Sequence, residues 1–338
     1  MDETAAMDRA LLLARRGPEH GPNPRVGCVL LAPDGSVLAE GWHRGAGTSH
    51  AEIAALAAAR AARRSTRGAT AVVTLEPCDH TGRTGPCSEA LLRAGVHRVV
   101  FAVEDPNPVA AGGAARLRAA GVDVVSGVRA AEAAQLLEVW AFAVRTGRPF
   151  VTLKTAATLD GRVAAADGTS RWITGPEARA HAHAVRAGVD AIAVTTGTVL
   201  ADDPELTART PEGDLDAHQP LRVVVGERDV PAGARVRGPG GELVHVRSHD
   251  PADVLAELAA RQVRHLLVEG GPALAGAFLR AGLVDRLHAY VAPVLLGAGP
   301  SVVPDLGVTT IADALRLHTV SVEPLGPDVL VTALPRRH

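Results

Sequence analysis

The sequence predicts an α/β protein of two domains, and three observations support this prediction. With 338 residues, 47% of them hydrophobic, the chain is long enough for about two domains, each with its own core. Short aliphatic runs alternate with alanine-rich helical segments along most of the chain, as in α/β folds. The turn-forming segment 146–149 interrupts this alternation. We therefore expect one domain over residues 1–146 and a second over residues 147–338.

The first domain is predicted to begin with a helix and a β-hairpin. Residues 8–16 have a helical pattern, and Asp34-Gly35 forms a hairpin turn between two short apolar runs. Helices and strands then alternate. In chain order the predicted elements are a helix (8–16), two strands (26–31 and 37–40), a helix (53–62), a strand (71–75), a helix (87–94), a strand (96–103), a helix (113–120), a strand (122–125) and a helix (130–144).

The second domain is predicted to contain a predominantly parallel sheet. Its strand-like runs are separated by helical or turn-rich segments, and they cover residues 149–154, 191–195, 221–225, 243–246, 264–268, 287–290 and 329–333. Gly270-Gly271 follows one of these runs and precedes a helical segment at 273–281. Bare backbone N–H groups at a helix start suit a phosphate group, although a plain strand-to-helix turn also explains two glycines. No G-x-G-x-x-G pattern is present there, which argues against a Rossmann domain.

Composition narrows the range of partners. A net charge of −2 and 2% aromatic residues provide neither a basic stripe nor a stacking surface for nucleic acid, so small-molecule substrates are expected. The first 16 residues lack the apolar core of a signal peptide, and no apolar run reaches membrane-spanning length. Of the three cysteines, Cys28 is expected in the core, and the set does not resemble a disulfide framework. We expect a cytoplasmic protein that binds neither nucleic acid nor membranes, and a homo-oligomer is compatible with the sequence.

The segment 50–87 contains a pattern typical of a catalytic zinc site. His50, Cys78 and Cys87 supply one imidazole and two thiolates, which can hold a tetrahedral zinc ion and leave its fourth position open. Glu52 lies two residues after His50, where its carboxylate can act as the general acid/base of a zinc deaminase. One alternative is a solvent-facing histidine with two unrelated buried cysteines. Another is a structural zinc module that binds a partner, but a structural zinc is usually closed by four protein ligands.

Motifs along nearly the whole chain resemble those of a known enzyme family. They are His50-Ala51-Glu52, the loop 77–87 with eight residues between its cysteines, Asp105-Pro106-Asn107-Pro108, the segment 154–162, Trp172-Ile173-Thr174, the segment 198–204 and Val268-Glu269-Gly270-Gly271-Pro272. This set is similar to that of the bifunctional pyrimidine deaminase/reductase family of riboflavin biosynthesis. The resemblance implies a cytidine-deaminase-like α/β/α domain with one Zn²⁺ ion, followed by a dihydrofolate-reductase-like α/β domain that binds NADPH. It also implies deamination of a diamino-ribosylamino-pyrimidinone 5′-phosphate, followed by reduction of the ribosyl side chain to ribityl.

The resemblance further implies three sets of site residues. Deaminase substrate contacts are Asn23, His43, His80, Arg83, Asp105 and Asn107. Cofactor contacts are Ala156, Trp172, Thr198, Asp202, Gly271, Pro272, Ala273, Leu274, Ala275, Gly276 and Ala277. Reductase substrate contacts are Ser170, Arg186, Leu206, Arg209 and Glu269, and guanidinium groups suit the substrate phosphate. Structural roles remain open, because Asn23 and the segment 105–107 also suit turns, Trp172 a core position and the segment 202–204 a helix cap.

Lys154 is the only lysine of the chain, in which arginine is otherwise the basic residue. A lysine kept against such a bias indicates a position where arginine fails, because a guanidinium is neither compact nor able to release its proton. We expect Lys154 to be catalytic in the reductase site, where it would stabilise negative charge or supply a proton. The alternative is a lysine that only extends from a strand end towards solvent.

Three positions depart from the family pattern. Gly85 stands where proline is frequent, Gly226-Glu227 where Asp-Ser is frequent, and Val294 where a lysine is expected. A serine hydroxyl suits a phosphate whereas Glu227 would repel one, so one cofactor contact differs here. This departure is the main support for an alternative function, a zinc deaminase of another nucleotide or pyrimidine whose second domain does not reduce.

Overall fold

The first half of the chain folds around a five-stranded sheet. The computed structural model describes residues 1–80 and 85–336, and the chain divides into two units, Met1–Gly147 and Arg148–His338. The first unit contains α1 (Glu3–Ala14), β1 (Gly27–Leu31), β2 (Val37–Trp42), α2 (Ala51–Ala61), β3 (Thr70–Leu75), α3 (Cys87–Arg93), β4 (Arg98–Val103), α4 (Gly113–Ala119), β5 (Asp123–Ser126) and α5 (Ala130–Thr146). The strand order is β2-β1-β3-β4-β5. β1 is antiparallel to β2 and β3, and the strands from β3 to β5 are parallel.

Helices cover both faces of this sheet. One core joins the sheet to α2, α3 and α4, and the core on the other face joins it to α1 and α5, with Leu137 of α5 also reaching the first core. Two glycines permit the close approach of helix and strand. A Cβ atom on Gly27 would lie 2.0 Å from the carbonyl oxygen of Ala10 in α1, and one on Gly41 would lie 2.4 Å from that of Ala51 in α2. Cys28 of β1 is fully buried, which confirms its predicted core position.

The second unit is built on an eight-stranded sheet in the order β12-β13-β11-β6-β10-β7-β8-β9. Its strands are β6 (Phe150–Thr158), β7 (Ala191–Thr195), β8 (Leu221–Val225), β9 (Leu243–Val246), β10 (His265–Val268), β11 (Arg286–Ala292), β12 (Leu317–Leu325) and β13 (Asp328–Pro335). Its helices are α6 (Pro176–Ala187), α7 (Thr196–Asp202), α8 (Pro251–Ala260) and α9 (Pro272–Arg280). All pairings from β11 to β9 are parallel, and β13 and β12 add an antiparallel edge. The prediction of a predominantly parallel sheet is therefore confirmed.

Several element boundaries differ from the predicted ones for identifiable reasons. α1 begins at Glu3 and not near residue 8, because the Asp2 carboxylate accepts a hydrogen bond from the Ala5 N–H at 2.7 Å and caps the helix. β6 continues to Thr158, where it still pairs with β11, so Lys154 lies within the strand and not at its end. β12 was not predicted from the sequence, because its residues are mostly exposed and of mixed polarity. Within the described residues, every helix is too short or too polar to cross a bilayer.

Candidate active sites

Three local structures bring the predicted zinc ligands together in the first unit. His50 is the residue that precedes α2, Cys78 follows β3, and Cys87 begins α3. The Nδ1 atom of His50 lies 3.5 Å from the Sγ atom of Cys78 and 3.3 Å from that of Cys87. Such separations fit a tetrahedral ion with bonds of about 2.0–2.3 Å to nitrogen and sulfur. The donor set and its geometry therefore fit zinc, and all three ligand atoms lie within 4.8 Å of one another.

The electrostatics of this cluster favour one thiolate and a proton-exchanging carboxyl group, whereas the hydrogen bond with Cys78, together with burial, raises the pKa of the Cys87 thiol. Hydrogen bonding from Cys87, together with that from His50, lowers the pKa of Cys78 to about 4, which provides a thiolate at neutral pH. Glu52 is only 3% exposed, and burial raises the pKa of its carboxyl group to about 7. A group with such a pKa can both hold and release a proton near neutral pH.

A buried glutamate that the sequence analysis missed supports the metal loop. Glu76, at the end of β3, is 7% exposed, and its carboxylate accepts hydrogen bonds from the N–H groups of Asp105 (3.2 Å), Gly112 (3.3 Å) and Ala114 (2.9 Å). A Cβ atom on Gly113 would lie 1.8 Å from the Pro77 carbonyl oxygen. Glu76 therefore ties the segment 105–114 to the residues that precede Cys78. The available signal was an acidic residue directly after a buried strand.

Two of the predicted deaminase substrate residues lie beside the zinc ligands. Asn23 Nδ2 is 3.0 Å from His43 Nε2, and the rings of His43 and His50 meet edge to face with centroids 5.8 Å apart. The Nδ1 atom of His43 lies 3.1 Å from the carbonyl oxygen of Ser49. These contacts fix the Asn23 amide and the His43 ring at one border of the metal cluster.

Three of the four remaining predicted deaminase residues, His80, Asp105 and Asn107, lie within the described part of the chain. Burial raises the pKa of Asp105 to about 6. The charge of Cys78 adds to this shift and that of His80 opposes it, which places Asp105 near the cluster. Asp105 Oδ1 accepts a hydrogen bond from the Asn107 N–H at 2.8 Å, so this segment also forms the turn that the sequence suggested. Among the described residues, the buried Nδ1 atom of His80 has no hydrogen-bond partner. Arg83 lies outside the described residues.

A cleft of about 280 Å³ in the second unit contains several of the predicted reductase residues. Its lining includes Lys154, Ala156, Ser170, Trp172 and Arg186, and also Val163, Ile173, Thr174, Arg179, Ala182 and His183. Arg186 forms a bidentate ion pair with Glu269, with Nε–Oε1 and Nη2–Oε2 distances of 2.8 and 2.7 Å. Burial and the Arg186 charge lower the pKa of Lys154, whereas Glu269 opposes this shift. The cleft thus combines one ammonium group with a paired guanidinium and carboxylate.

Leu206 and Arg209 do not belong to the described lining of this cleft. They flank Thr207, whose carbonyl oxygen accepts a hydrogen bond from Arg186 Nη1 at 3.0 Å. Arg209 is bound to Glu205 at 2.6 Å and to the carbonyl oxygen of Gly213 at 2.7 Å. A phosphate at Arg209 would therefore compete with an ion pair that is already formed.

The predicted cofactor residues form two groups. Gly271 precedes the nine-residue helix α9, and no atom lies within 4 Å of the position of a Cβ there, so its backbone is open to a phosphate. Leu274, Ala275 and Gly276 are buried, and the side chains of Leu274 and Ala275 belong to the core of the unit. Trp172 is 70% exposed, which rules out the core position considered from the sequence. An open helix start and an exposed aromatic ring fit the phosphate and flat rings of NADPH.

The other cofactor positions lie on α7. Thr198 donates its N–H to Thr195 Oγ1 at 3.1 Å, and Asp202 is exposed at the end of the helix, where its carbonyl oxygen accepts a hydrogen bond from Arg171 at 2.6 Å. Asp203 caps the C-terminal end of α7 with φ +41°. The cap considered for the segment 202–204 is thus present at the end of a helix and not at its start.

Comparisons with known proteins cover both units. Residues 1–103 match the family model of the cytidine and deoxycytidylate deaminase zinc-binding region, and residues 149–331 match that of the RibD C-terminal domain. The riboflavin biosynthesis protein RibD of Mycobacterium tuberculosis H37Rv is 51% identical, over 93% of this chain and 92% of that protein. RibD of Escherichia coli K12 is 42% identical, over 97% and 98% of the two chains.

Solved structures agree with these matches. The diaminohydroxyphosphoribosylaminopyrimidine deaminase/5-amino-6-(5-phosphoribosylamino)uracil reductase of Thermotoga maritima is 34% identical, with a TM-score of 0.90 over 99% of each chain. Acinetobacter baumannii RibD is 37% identical, with a TM-score of 0.89 over 99% of each chain. The predicted fold class is confirmed: a cytidine-deaminase-like α/β/α domain is followed by a dihydrofolate-reductase-like α/β domain.

Proposed function

Since the chain belongs to the RibD family of riboflavin-biosynthesis proteins, we propose that it carries out two successive reactions on one phosphorylated pyrimidine. Residues 1–146 deaminate 2,5-diamino-6-ribosylamino-4(3H)-pyrimidinone 5′-phosphate by hydrolysis. Residues 147–338 then reduce the ribosyl side chain to ribityl with NADPH. The observation that carries this proposal is the cluster of His50, Cys78 and Cys87 with the buried Glu52 beside it.

In the first unit, this chain's own residues bind the metal, move a proton and orient the substrate. His50, Cys78 and Cys87 would hold the zinc ion, which would supply Lewis-acid chemistry for the hydrolysis of an aminated ring carbon. The Glu52 carboxyl oxygen holds a proton near neutral pH and can transfer it to the departing amine. Asn23 Nδ2, fixed by His43, is placed to bind a ring oxygen or nitrogen of the substrate.

In the second unit, Lys154 is the proton-bearing group of the cleft. NADPH supplies the hydride, and the open backbone at Gly271 is the proposed binding site for one of its phosphates. The Nζ atom of Lys154 can deliver a proton as the ribose ring opens, while Ser170 and Arg186 lie in the same cleft to hold the sugar phosphate. The bond to Glu269 keeps the Arg186 guanidinium in one orientation.

An assay of the purified full chain with the pyrimidine substrate, with and without NADPH, tests the proposal. Ammonia release is expected under both conditions, and NADPH oxidation is expected only after deamination. Absence of ammonia release from the zinc-loaded protein would contradict the first activity. Ammonia release without NADPH oxidation would support a deaminase whose second domain does not reduce.

One structural observation concerns the alternative function, a deaminase whose second domain does not reduce. Gly226 has φ +129°, and a Cβ atom there would lie 2.7 Å from Thr196 Oγ1, so the backbone after β8 requires glycine. The exposed Glu227 follows it, where the family frequently has serine. The local backbone conformation therefore requires the glycine by which this chain departs from the family pattern. Direct measurement of NADPH binding by the Glu227→Ser variant would show whether the carboxylate weakens the cofactor site.

We also propose that the protein acts in the cytoplasm on small molecules and not on nucleic acid. None of its three cysteines forms a disulfide, which suits a reducing compartment. A homo-oligomer is part of this proposal, because the edge strand β12 exposes Val320 and Val322 by 53% and 62%. Sedimentation of the purified chain tests it, and a monomer at working concentration would contradict it.

A further inference from the structure

Tyr290, which is not among the predicted site residues, lies beside Lys154 in the reductase cleft. β6 lies between β11 and β10 in the sheet. The register places His288 of β11 opposite Lys154 and Tyr290 opposite Ala156, so all four side chains project from one face. The Nζ atom of Lys154 lies 5.6 Å from the centroid of the Tyr290 ring. This distance is within the range of an ammonium–aromatic contact.

The Tyr290 ring is held in place by packing and by one hydrogen bond. It is 2% exposed and forms a small core with Ala178 of α6 and Leu330 of β13. Its hydroxyl group shares a hydrogen bond of 2.7 Å with the Nδ1 atom of His181 in α6. Tyr290 is also the only tyrosine of the chain. The helix α6 and the neighbouring strand β13 therefore fix the ring that faces Lys154.

The opposite side of Lys154 is fixed by the same helix. Glu269 directly follows β10, and its carboxylate is paired with Arg186 of α6. α6 thus reaches the sheet on both flanks of β6, through His181 to β11 and through Arg186 to the end of β10. Among the described residues, the Lys154 ammonium group itself has no hydrogen-bonding partner, so it remains available to a ligand in the cleft.

Besides the Glu269 carboxylate, which is shared with Arg186, the Tyr290 ring is the attractive surface next to Lys154. Burial raises the pKa of Tyr290 and lowers that of His288 to about 4, and it also lowers the pKa of His183, so all three are neutral at pH 7. Glu269 and Arg186 are charged but paired with each other. Arg179 lies over the Trp172 ring and donates to the Thr174 carbonyl oxygen. The electron-rich face of Tyr290 can therefore hold the ammonium group in one position.

We propose that Tyr290 and His181 are a positioning pair, in which the His181-anchored ring of Tyr290 holds the Lys154 ammonium group at the reacting sugar carbon. This inference rests on the proposed reductase function of the cleft. Tyr290 acts through Lys154 and does not itself exchange a proton with the substrate. The ring is then essential, whereas the hydroxyl group serves only to orient it.

Two substitutions distinguish the contribution of the Tyr290 ring from that of its hydroxyl group. Tyr290→Leu removes the aromatic face, and Tyr290→Phe keeps it but loses the bond to His181. In NADPH oxidation with the deaminated substrate, we expect Tyr290→Leu to lower kcat about tenfold or more with little change in KM, because the loss concerns the reacting group. Tyr290→Phe should restore most of kcat. Equal losses in both variants would overturn the assignment to the ring.

The matched control removes an aromatic ring from β6, the strand next to β11 in the sheet. Phe150 is the first residue of β6 and lies 4.9 Å from the Arg286 guanidinium. Phe150→Leu therefore also replaces an aromatic ring next to a cation with leucine, but at a position away from the cleft. It should leave kcat unchanged at a temperature where all variants are folded by circular dichroism. Ammonia release by each full-length variant reports whether the first unit remains intact.

A measurement without substrate distinguishes this inference from the proposed function. Because Lys154 is the only lysine, trace acetylation at different pH values, read by peptide mass spectrometry, reports its ionisation alone. The ring favours the charged amine, so Tyr290→Leu should lower the labelling midpoint by about 0.5–1.5 pH units. Tyr290→Phe and Phe150→Leu should leave it in place. An unmoved midpoint in Tyr290→Leu would refute the positioning pair, whereas absence of NADPH oxidation by the wild type would refute the reductase function.

Discussion

At the scale of single residues, Glu52 combines burial with proximity to three metal-binding side chains. We expect Glu52→Gln to retain zinc, because His50, Cys78 and Cys87 are unchanged, and to release ammonia about 10² to 10⁴ times more slowly, because the amide cannot exchange a proton. Elemental analysis and an ammonia assay measure the two properties. Glu132→Gln, an exposed glutamate of α5, is the matched control and should behave like the wild type. Ammonia release by Glu52→Gln at the wild-type rate would remove Glu52 from the mechanism.

A cysteine substitution at the same site should give a different result. Cys87→Ser replaces a thiolate with a poor zinc ligand, so we expect it to lose the metal together with ammonia release. NADPH oxidation with the deaminated substrate should persist. Full zinc occupancy of Cys87→Ser by elemental analysis would show that Cys87 is not a ligand.

The third residue-scale prediction concerns Lys154. Its ammonium group faces a buried ring and a cleft of limited volume, where the larger, planar guanidinium cannot occupy the same position. We therefore expect Lys154→Arg to reduce NADPH oxidation on the deaminated substrate at least tenfold and to leave ammonia release intact. Normal NADPH turnover would support a lysine that only extends into solvent. Loss of both activities would indicate a folding defect.

Some site residues could be predicted from the sequence and others could not, for a physical reason. The zinc ligands and Glu52 form short motifs, in which chemistry and spacing are both visible. Glu76, Tyr290 and His181 act through contacts between residues far apart in the chain, such as the bond between positions 181 and 290. Their residue types are also ordinary in cores and on helices. Arg186 and Glu269 were identified through the family resemblance, but their ion pair across 83 positions was not visible.

At the scale of elements, the approach of α2 to β2 places His50 and Glu52. A Cβ atom on Gly41 would lie 2.4 Å from both the Ala51 carbonyl oxygen and the Ala55 nitrogen. We expect Gly41→Ala to lower the free energy of unfolding by about 1–3 kcal/mol, because α2 must move outwards. Zinc affinity should fall with it, since His50 moves with the helix. Urea unfolding and a metal competition assay measure these effects.

The control for that prediction is another glycine of the same unit. No atom lies within 4 Å of a Cβ position on Gly85, and its φ is outside the left-handed region. Gly85→Ala should therefore leave unfolding nearly unchanged, even though Gly85 departs from the proline frequent in the family. If Gly85→Ala were as destabilising as Gly41→Ala, close packing of α2 would not be the cause.

The strands also show which elements can be predicted from hydrophobic patterns and which cannot. The parallel strands β7, β8 and β9 are rich in aliphatic residues, and their predicted bounds agree with the structure. β6 was predicted too short because Lys154 and Thr155 interrupt its apolar run, although hydrogen bonding to β11 continues. β12 is held mainly by pairing with β13 and carries little burial signal. A strand that is stabilised mainly by pairing with its neighbour shows no periodic hydrophobic pattern in its own sequence.

At the scale of the whole molecule, buried histidines should make stability depend on acidity. Burial, followed by the charges of Arg286 and His288, lowers the pKa of His265 to about 3, whereas the unfolded chain has an ordinary histidine pKa near 6.5. Below pH 6.5 the unfolded state therefore binds a proton that the folded state does not. We expect the free energy of unfolding to fall by on the order of 1–2 kcal/mol from this residue between pH 7 and pH 5.

Urea unfolding at the two pH values checks this prediction. His265→Gln cannot take up the proton, so its stability should change less between pH 7 and pH 5 than that of the wild type. The comparison is made between variants because loss of zinc also affects the first unit in acid. An equal change in the two proteins would assign the acid sensitivity to other groups.

The position of β6 in the sheet has a consequence for synthesis of the chain. Every element of the first unit has been translated once Thr146 is complete, but β6, which is made next, pairs with β10 and β11 near residues 265–292. At about 5–20 residues per second, the gap before β10 amounts to roughly 5–20 seconds of translation. During that time the aliphatic β6 has no partner on either side and can associate with other chains. A ribosome that stops before Arg286 therefore releases a complete deaminase unit joined to a reductase unit with an open sheet.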